Sequence, residues 1–176
     1  MVAAKTEVLF SRVIVEGRVK ELASQISRDY YGCDLLVVGI LKGAFIFMAD
    51  LVRALGMPCG VDFVRLASYD RGTVSSGNVR ITKDLETPVE GRHILVVEDI
   101  VDTGLTLSRL VDMLQKRSPA SLKVCAFLDK QERREVPFMA DYVGFTIPDL
   151  FVVGYGLDYD EKYRYLPDVC VLRDVD

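Results

Sequence analysis

One histidine and four cysteines are all that this 176-residue chain offers in imidazole and thiolate ligands for a metal. Cys33, Cys59, Cys125 and Cys170 are scattered, with no C-x-x-C pair, which argues against a zinc site and for buried, reduced thiols. Positive charge is also short: 22 Lys and Arg against 26 Asp and Glu leave a net charge of −4, which gives no support to a nucleic-acid partner held through phosphates. Long apolar runs are missing. Leu35–Leu41 and Gly43–Ala49 are split by Lys42 and closed by Asp50, too short to cross a bilayer. Met1 to Thr6 lack the basic-then-apolar layout of a signal peptide, so a cytoplasmic protein is expected. There is no G-x-x-x-x-G-K-[ST], and Gly154-Tyr155-Gly156 lacks the third glycine and the following helix of a dinucleotide fingerprint. Repeats, linkers and low-complexity segments are absent. With half its residues apolar and 27% charged, the chain reads as a single globular domain over 1–176.

What is present centres on Ile94 to Thr106. Ile94-Leu95-Val96-Val97 do not alternate with polar residues and so read as a strand buried on both faces. Two adjacent acids, Glu98 and Asp99, stand at its end. Asp102-Thr103-Gly104-Leu105-Thr106 then opens into a helix, because Leu107, Leu110, Val111 and Leu114 recur at helical spacing from about Thr106 to Arg117. Free N–H groups at such a turn and at the helix N-terminus attract an anion, and Thr103 and Thr106 add hydroxyl donors. Glu98 and Asp99 would repel each other unless hydroxyls or a divalent cation satisfy them. Taken alone, Asp102 or Thr103 reads as an N-cap. The run as a whole suits a ligand with a phosphate at one end and vicinal hydroxyls beside it.

Around this stretch, Val15, Val19, Leu22, Ile26 and Tyr30 form a helical stripe ending at Gly32. Leu35 to Ile40 make a second buried strand, Lys42-Gly43 sit at its end, and Ala44 to Leu55 form an apolar helix. Cys59 to Leu66 read as a third strand, Val79-Arg80-Ile81 as a return strand, and Leu122–Leu128 and Phe151–Tyr155 as two more. This β-α-β-α-β alternation implies an α/β fold with a mainly parallel sheet flanked by helices, and ligands at the strand C-terminal ends. Ser68 to Gly77 form a long hydrophilic loop, either a hairpin tip or a lid.

The run Val96-Val97-Glu98-Asp99-Ile100-Val101-Asp102-Thr103-Gly104-Leu105-Thr106 resembles the 5-phosphoribosyl 1-pyrophosphate (PRPP) loop of the type I phosphoribosyltransferases. The likeness extends from about Leu35 to Leu172. Leu128-Asp129-Lys130 and Phe151-Val152-Val153-Gly154-Tyr155-Gly156-Leu157-Asp158-Tyr159 are similar to the hypoxanthine-guanine branch in particular. One departure is Leu105, where some members carry lysine. The resemblance implies a type I phosphoribosyltransferase fold with a small hood built from the terminal segments and a flexible lid at about 67–78, led by Ser68 and Tyr69. It implies that Glu98, Asp99, Asp102, Thr103, Gly104, Leu105 and Thr106 bind PRPP. Lys42, Gly43 and Arg164 would bind pyrophosphate, often with a cis peptide bond at Lys42-Gly43; read without the family, Lys42 is simply a helix-start lysine facing water.

The same resemblance makes Asp102 the general acid/base at purine N7. It gives Lys130 to the purine 6-oxo group, Phe151 to stacking on the base and Val152 to its Watson–Crick edge. Asp158 would join Glu98 and Asp99 in holding Mg²⁺. The implied reaction joins hypoxanthine or guanine to PRPP, in a homodimer or homotetramer with no nucleic-acid or membrane partner. Two other readings stay open: a PRPP-binding regulatory protein, and a phosphoribosyltransferase for another base such as xanthine.

Overall fold

Leu35, Val37, Leu95 and Val97 point to one side of their strands, while Leu36, Val38, Ile94 and Val96 point to the other, and all eight are buried. Strands this apolar are stable only with helices on both faces. The computed structural model, which describes residues 5–68 and 79–173, supplies them. Chain order is β1 (Lys5–Phe10), α1 (Arg12–Asp29), β2 (Leu35–Leu41), α2 (Phe45–Leu55), β3 (Gly60–Ser68), β4 (Val79–Lys83), β5 (His93–Val101), α3 (Leu105–Gln115), β6 (Ser121–Asp129), β7 (Tyr142–Thr146), β8 (Val152–Val153) and β9 (Val169–Arg173). The main sheet has order β4-β3-β2-β5-β6-β7, parallel except where β4 returns against β3. Val19, Leu22 and Ile26 of α1 and Phe47, Met48 and Leu51 of α2 cover one face; Leu107, Leu110 and Leu114 of α3 cover the other.

That arrangement locates the site. From β2 the chain leaves through α2 on one face to reach β3, and from β5 it leaves through α3 on the opposite face to reach β6. The adjacent strands β2 and β5 therefore diverge at their C-terminal ends, which opens a crevice where open α/β sheets take ligands. Lys42-Gly43 and Asp102–Thr106 begin there.

A second, three-stranded sheet of order β1-β9-β8 is antiparallel, with the last strand at its centre between the first strand and β8. This is the small hood expected from the terminal segments. Four details differ from the sequence reading. Strand β5 continues through Glu98 and Asp99 to Val101, because Glu98, Ile100 and Val101 stay in register with Ala126, Leu128 and Asp129. Helix α3 spans Leu105–Gln115 rather than 106–117. The strand expected at Phe151–Tyr155 is only Val152–Val153, cut off by left-handed backbone at Gly154, Tyr155 and Gly156 (φ 92°, 49° and 98°). All four cysteines are free as expected, but only Cys125 and Cys170 are buried while Cys33 and Cys59 are partly exposed. Ser68 closes β3; Tyr69 and the rest of the expected lid to residue 78 lie outside the described residues.

Asp62, 7% exposed on β3, ties the sheet to the connection leading into β5. Its carboxylate accepts from the backbone N–H of Phe63 (2.7 Å), Glu86 (2.8 Å) and Thr87 (2.8 Å). Burial alone would push this carboxyl up, but those donors hold it below the usual carboxylate range. Asp62→Ala would strand buried N–H groups, at a cost of about 2 kcal/mol or more in a denaturant melt. A carboxyl lowered in the folded state stabilises above its unfolded value near pH 4 and loses that contribution as pH falls through the folded value. The gap between wild type and Asp62→Ala is therefore expected to narrow in acid.

Candidate active site

The phosphate loop begins at the end of β5. Gly104 takes φ 81° and is the residue that starts α3, with no side chain capping the helix, so neither Asp102 nor Thr103 is the N-cap. Thr103 Oγ1 accepts from the Leu105 N–H at 3.4 Å, and the start of α3 borders a hollow of about 120 Å³. Glu98, Asp102, Thr103, Gly104 and Thr106 line it. The loop is braced from behind by residues that sequence reasoning missed. Arg134 donates to the Asp102 carbonyl at 2.6 Å and is ion-paired with the buried Asp129, and the Glu135 N–H donates to the Thr103 carbonyl at 3.0 Å. A Cβ on Gly104 would come within 3.0 to 3.3 Å of Arg134, Val136 and Phe138, so the brace is tight.

The acidic pair is held by backbone. Asp99 Oδ1 accepts from the Ile100 N–H at 2.9 Å, and Glu98 Oε1 accepts from the Asp99 N–H at 3.2 Å. Burial, and then the adjacent Asp99 carboxylate, push the Glu98 carboxyl well above its usual range. Among the described residues no Lys or Arg pairs with either acid. Gly43 lies against them, and a Cβ at that position would overlap the Asp99 carboxylate. The Gly43 carbonyl in turn packs against Gly156, whose added Cβ would lie 2.7 Å from it. Three corners distant in sequence thus meet at two glycines, one against the Asp99 carboxylate and one against backbone. The cis peptide bond is Leu41–Lys42, one bond before the Lys42-Gly43 position expected.

Lys42 Nζ donates to both carboxylate oxygens of Glu161 at 2.9 Å. Arg164 reaches the same cluster: it donates to the Gly156 carbonyl at 2.7 Å, pairs with Asp158 at 2.6 Å and lies 3.8 Å from Glu161. Glu161 is consequently held below the usual carboxylate range, by Lys42 first and then by Arg164 and Arg65. Sequence reasoning passed over Glu161, although it stands between the quoted Tyr159 and Arg164. Asp158 is spent on Arg164 and on the Glu161 N–H (3.0 Å), and no group of three His, Cys, Asp or Glu gathers among the described residues. The expected set Glu98, Asp99 and Asp158 is therefore not brought together as one centre in this conformation.

At the end of β6, Lys130 is 6% exposed. Its N–H donates to the Val101 carbonyl at 2.9 Å, which sets it beside Asp102. Its Nζ reaches Asp149 at 3.4 Å. Phe151 is 48% exposed, with its ring 5.4 Å from Tyr159 in an edge-to-face contact, and Val152 behind it is buried. An exposed aromatic ring two residues after Asp149, the partner of the buried Lys130, suits a planar, carbonyl-bearing ring. A larger hollow of about 600 Å³ between α1, α2 and residues 164–167 shares only Arg164 with the residues above.

The comparisons with known proteins agree with this geometry. Residues 10–160 match the phosphoribosyl transferase domain family. The chain is 49% identical to a hypoxanthine-guanine phosphoribosyltransferase of Aquifex aeolicus, covering 97% of this chain and 96% of that one. It is 48% identical to the Bacillus subtilis hypoxanthine-guanine phosphoribosyltransferase, over 95% and 93%. The crystal structure of a hypoxanthine phosphoribosyltransferase from Staphylococcus aureus superposes with a TM-score of 0.92 at 45% identity, covering 95% of this chain and 91% of that one. With a family match over most of its length and relatives nearly half identical end to end, this chain belongs to the phosphoribosyltransferase family, alongside its bacterial hypoxanthine and hypoxanthine-guanine members.

Proposed function

We propose that this chain joins a 6-oxopurine, hypoxanthine or guanine, to PRPP and releases the nucleoside monophosphate and pyrophosphate. It is a purine salvage transferase. The observation that carries this reading is the placement of a buried Lys130 beside the phosphate loop, bonded through its N–H to Val101. The 102–106 turn grips the 5′-phosphate through backbone N–H groups, and Glu98 and Asp99 take the ribose hydroxyls. Purine N9 forms its bond to C1 of the ribose as the bond from C1 to the pyrophosphate oxygen breaks. Asp102 manages the purine proton at N7. Lys42, the Gly43 backbone and Arg164 meet the negative charge gathering on the leaving group.

Lys42 can do so only by giving up Glu161, and Arg164 by turning away from Asp158, the carboxylates they now hold. Mg²⁺ fits the same site by donor chemistry: Glu98 and Asp99 are adjacent hard oxygen ligands with no cationic side chain on them among the described residues, and burial together with the Asp99 carboxylate disfavours a charged Glu98 without a cation beside it. Bound there, the ion would neutralise the diphosphate and organise the ribose hydroxyls. Asp158 would join it once Arg164 turns to the diphosphate. Tyr69 and Ser68 would lead a lid over the reacting sugar.

No helix among the described residues is long and apolar enough to cross a membrane. We read the protein as cytoplasmic and as a homodimer or homotetramer. Exposed Val13 and Ile14 on α1 and Phe45 on α2 support self-association.

An ammonium donor pairs with a 6-oxo group and cannot pair with the 6-amino group of adenine. The test is turnover with PRPP, Mg²⁺ and each of hypoxanthine, guanine, xanthine, adenine and uracil, in wild type and Lys130→Ala. Wild type should use hypoxanthine and guanine and ignore adenine, and Lys130→Ala should cut kcat/KM for the 6-oxopurines by about tenfold to hundredfold. Unchanged discrimination in the variant sinks the Lys130 assignment. PRPP binding without pyrophosphate release in wild type would instead identify a regulator.

A further inference from the structure

Val101 and Asp129 are register partners on β5 and β6, so the residues that follow them, Asp102 and Lys130, leave the sheet side by side. A carboxylate and an ammonium so placed should pair directly, yet here they do not. Lys130 Nζ goes to Asp149 at 3.4 Å, and Asp102 Oδ1 lies 2.9 Å from Arg133 Nε. Arg133 also reaches Asp149, at 3.5 Å. The result is a chain of alternating charge, Lys130, Asp149, Arg133, Asp102, whose two ends are the groups assigned above to the purine. Asp102 Oδ1 is buried and lacks a well-aligned donor even beside Arg133, so the contact is an ion pair that leaves its lone pairs open.

Purine O6 and N7 are neighbours on one edge of the base. The groups that address them must therefore sit next to each other without neutralising each other. We propose that Arg133 and Asp149 are positioning residues of the purine subsite. They draw Asp102 and Lys130 apart by offering each an alternative partner of opposite charge, and so keep a base-sized gap between a donor for O6 and an acid/base for N7. Neither is expected to touch the reacting atoms. Both come from loops: Arg133 from the short 3₁₀ turn at Gln131–Arg133, Asp149 from the connection between β7 and β8. Removing either charge releases one end of the chain, and Lys130 then closes onto Asp102 across the gap.

The proposal rests on the function proposed above, and its test separates the two. Wild type, Arg133→Gln, Asp149→Asn, the double variant and the charge-keeping Arg133→Lys and Asp149→Glu are assayed with hypoxanthine and PRPP varied independently. The neutral single variants should raise the hypoxanthine KM about tenfold and lower kcat less, with the PRPP KM within twofold of wild type. The charge-keeping variants should recover at least half of the loss. Because the two residues act as one unit, the double variant should be no worse than about the poorer single one. Equal shifts in both KM values, unchanged hypoxanthine KM, multiplied effects in the double variant, or failure of the charge-keeping variants to rescue would each overturn the proposal. A wild type that turns over no 6-oxopurine would overturn the functional reading instead.

Discussion

Gly43→Ala is expected to abolish useful PRPP binding while leaving the protein folded. The position lies beyond the end of β2 in the crevice, not in either apolar layer, so the core has no stake in it. An added methyl has nowhere to go: it overlaps the Asp99 carboxylate, and the Gly43 carbonyl on the other side is already packed against Gly156. Relief requires Asp99 to swing away or the β2 corner to lift, and either motion separates the acids from the phosphate loop. Displacement of about 1 Å in a positioned site is enough to cost about 100-fold in rate. Isothermal titration with PRPP and Mg²⁺, paired with a thermal melt, checks both halves. A variant that binds PRPP within threefold of wild type would show that this close approach is not functional.

Asp102→Asn should lower kcat by about 10² to 10⁴, the usual span for removing a general acid/base. The amide keeps the shape but can neither take up nor release the purine proton, so PRPP binding, which depends on the backbone of the loop, should survive. Arg134 grips the carbonyl of residue 102 rather than its side chain, which is why the loop geometry should persist in the variant. The measurement is kcat together with the equilibrium affinity for PRPP. Loss of both in parallel would mean that Asp102 shapes the loop and does not move the proton.

The main sheet was legible because β2 and β5 are apolar on both faces, a pattern that admits only flanking helices. The phosphate loop was legible for a different reason: its parts are contiguous, and a turn followed by a helix start has the same physics wherever it occurs. Lys130, Phe151, Val152, Asp158 and Arg164 came from family likeness alone, since a lysine after a strand and an aromatic before one are ordinary residues. Nothing local betrays Asp149, Arg133, Arg134 or Glu161. Their roles lie in pairings across 5 to 119 positions, as with Arg134 and Asp129 or Lys42 and Glu161, which no periodicity records. The short strands β1, β7 and β9 escaped as well, because five or six residues carry too little alternation to stand out.

The pairing of β1 with β9 has a consequence for how the protein is made. Lys5 to Phe10 find their register only against Val169 to Arg173. On a ribosome, β1 therefore waits without a partner until almost the whole chain has emerged, while β2 to β7 can assemble as each successive strand appears. The phosphate half of the crevice is framed by that earlier sheet. Asp158 and Arg164 lie on the segment between β8 and β9, whose two ends are joined only when the last strand pairs with β8. Nascent chains stalled before residue 169 would thus carry a formed phosphate cradle and the Lys42-Gly43 side of the pyrophosphate site, with the Arg164 side still unanchored.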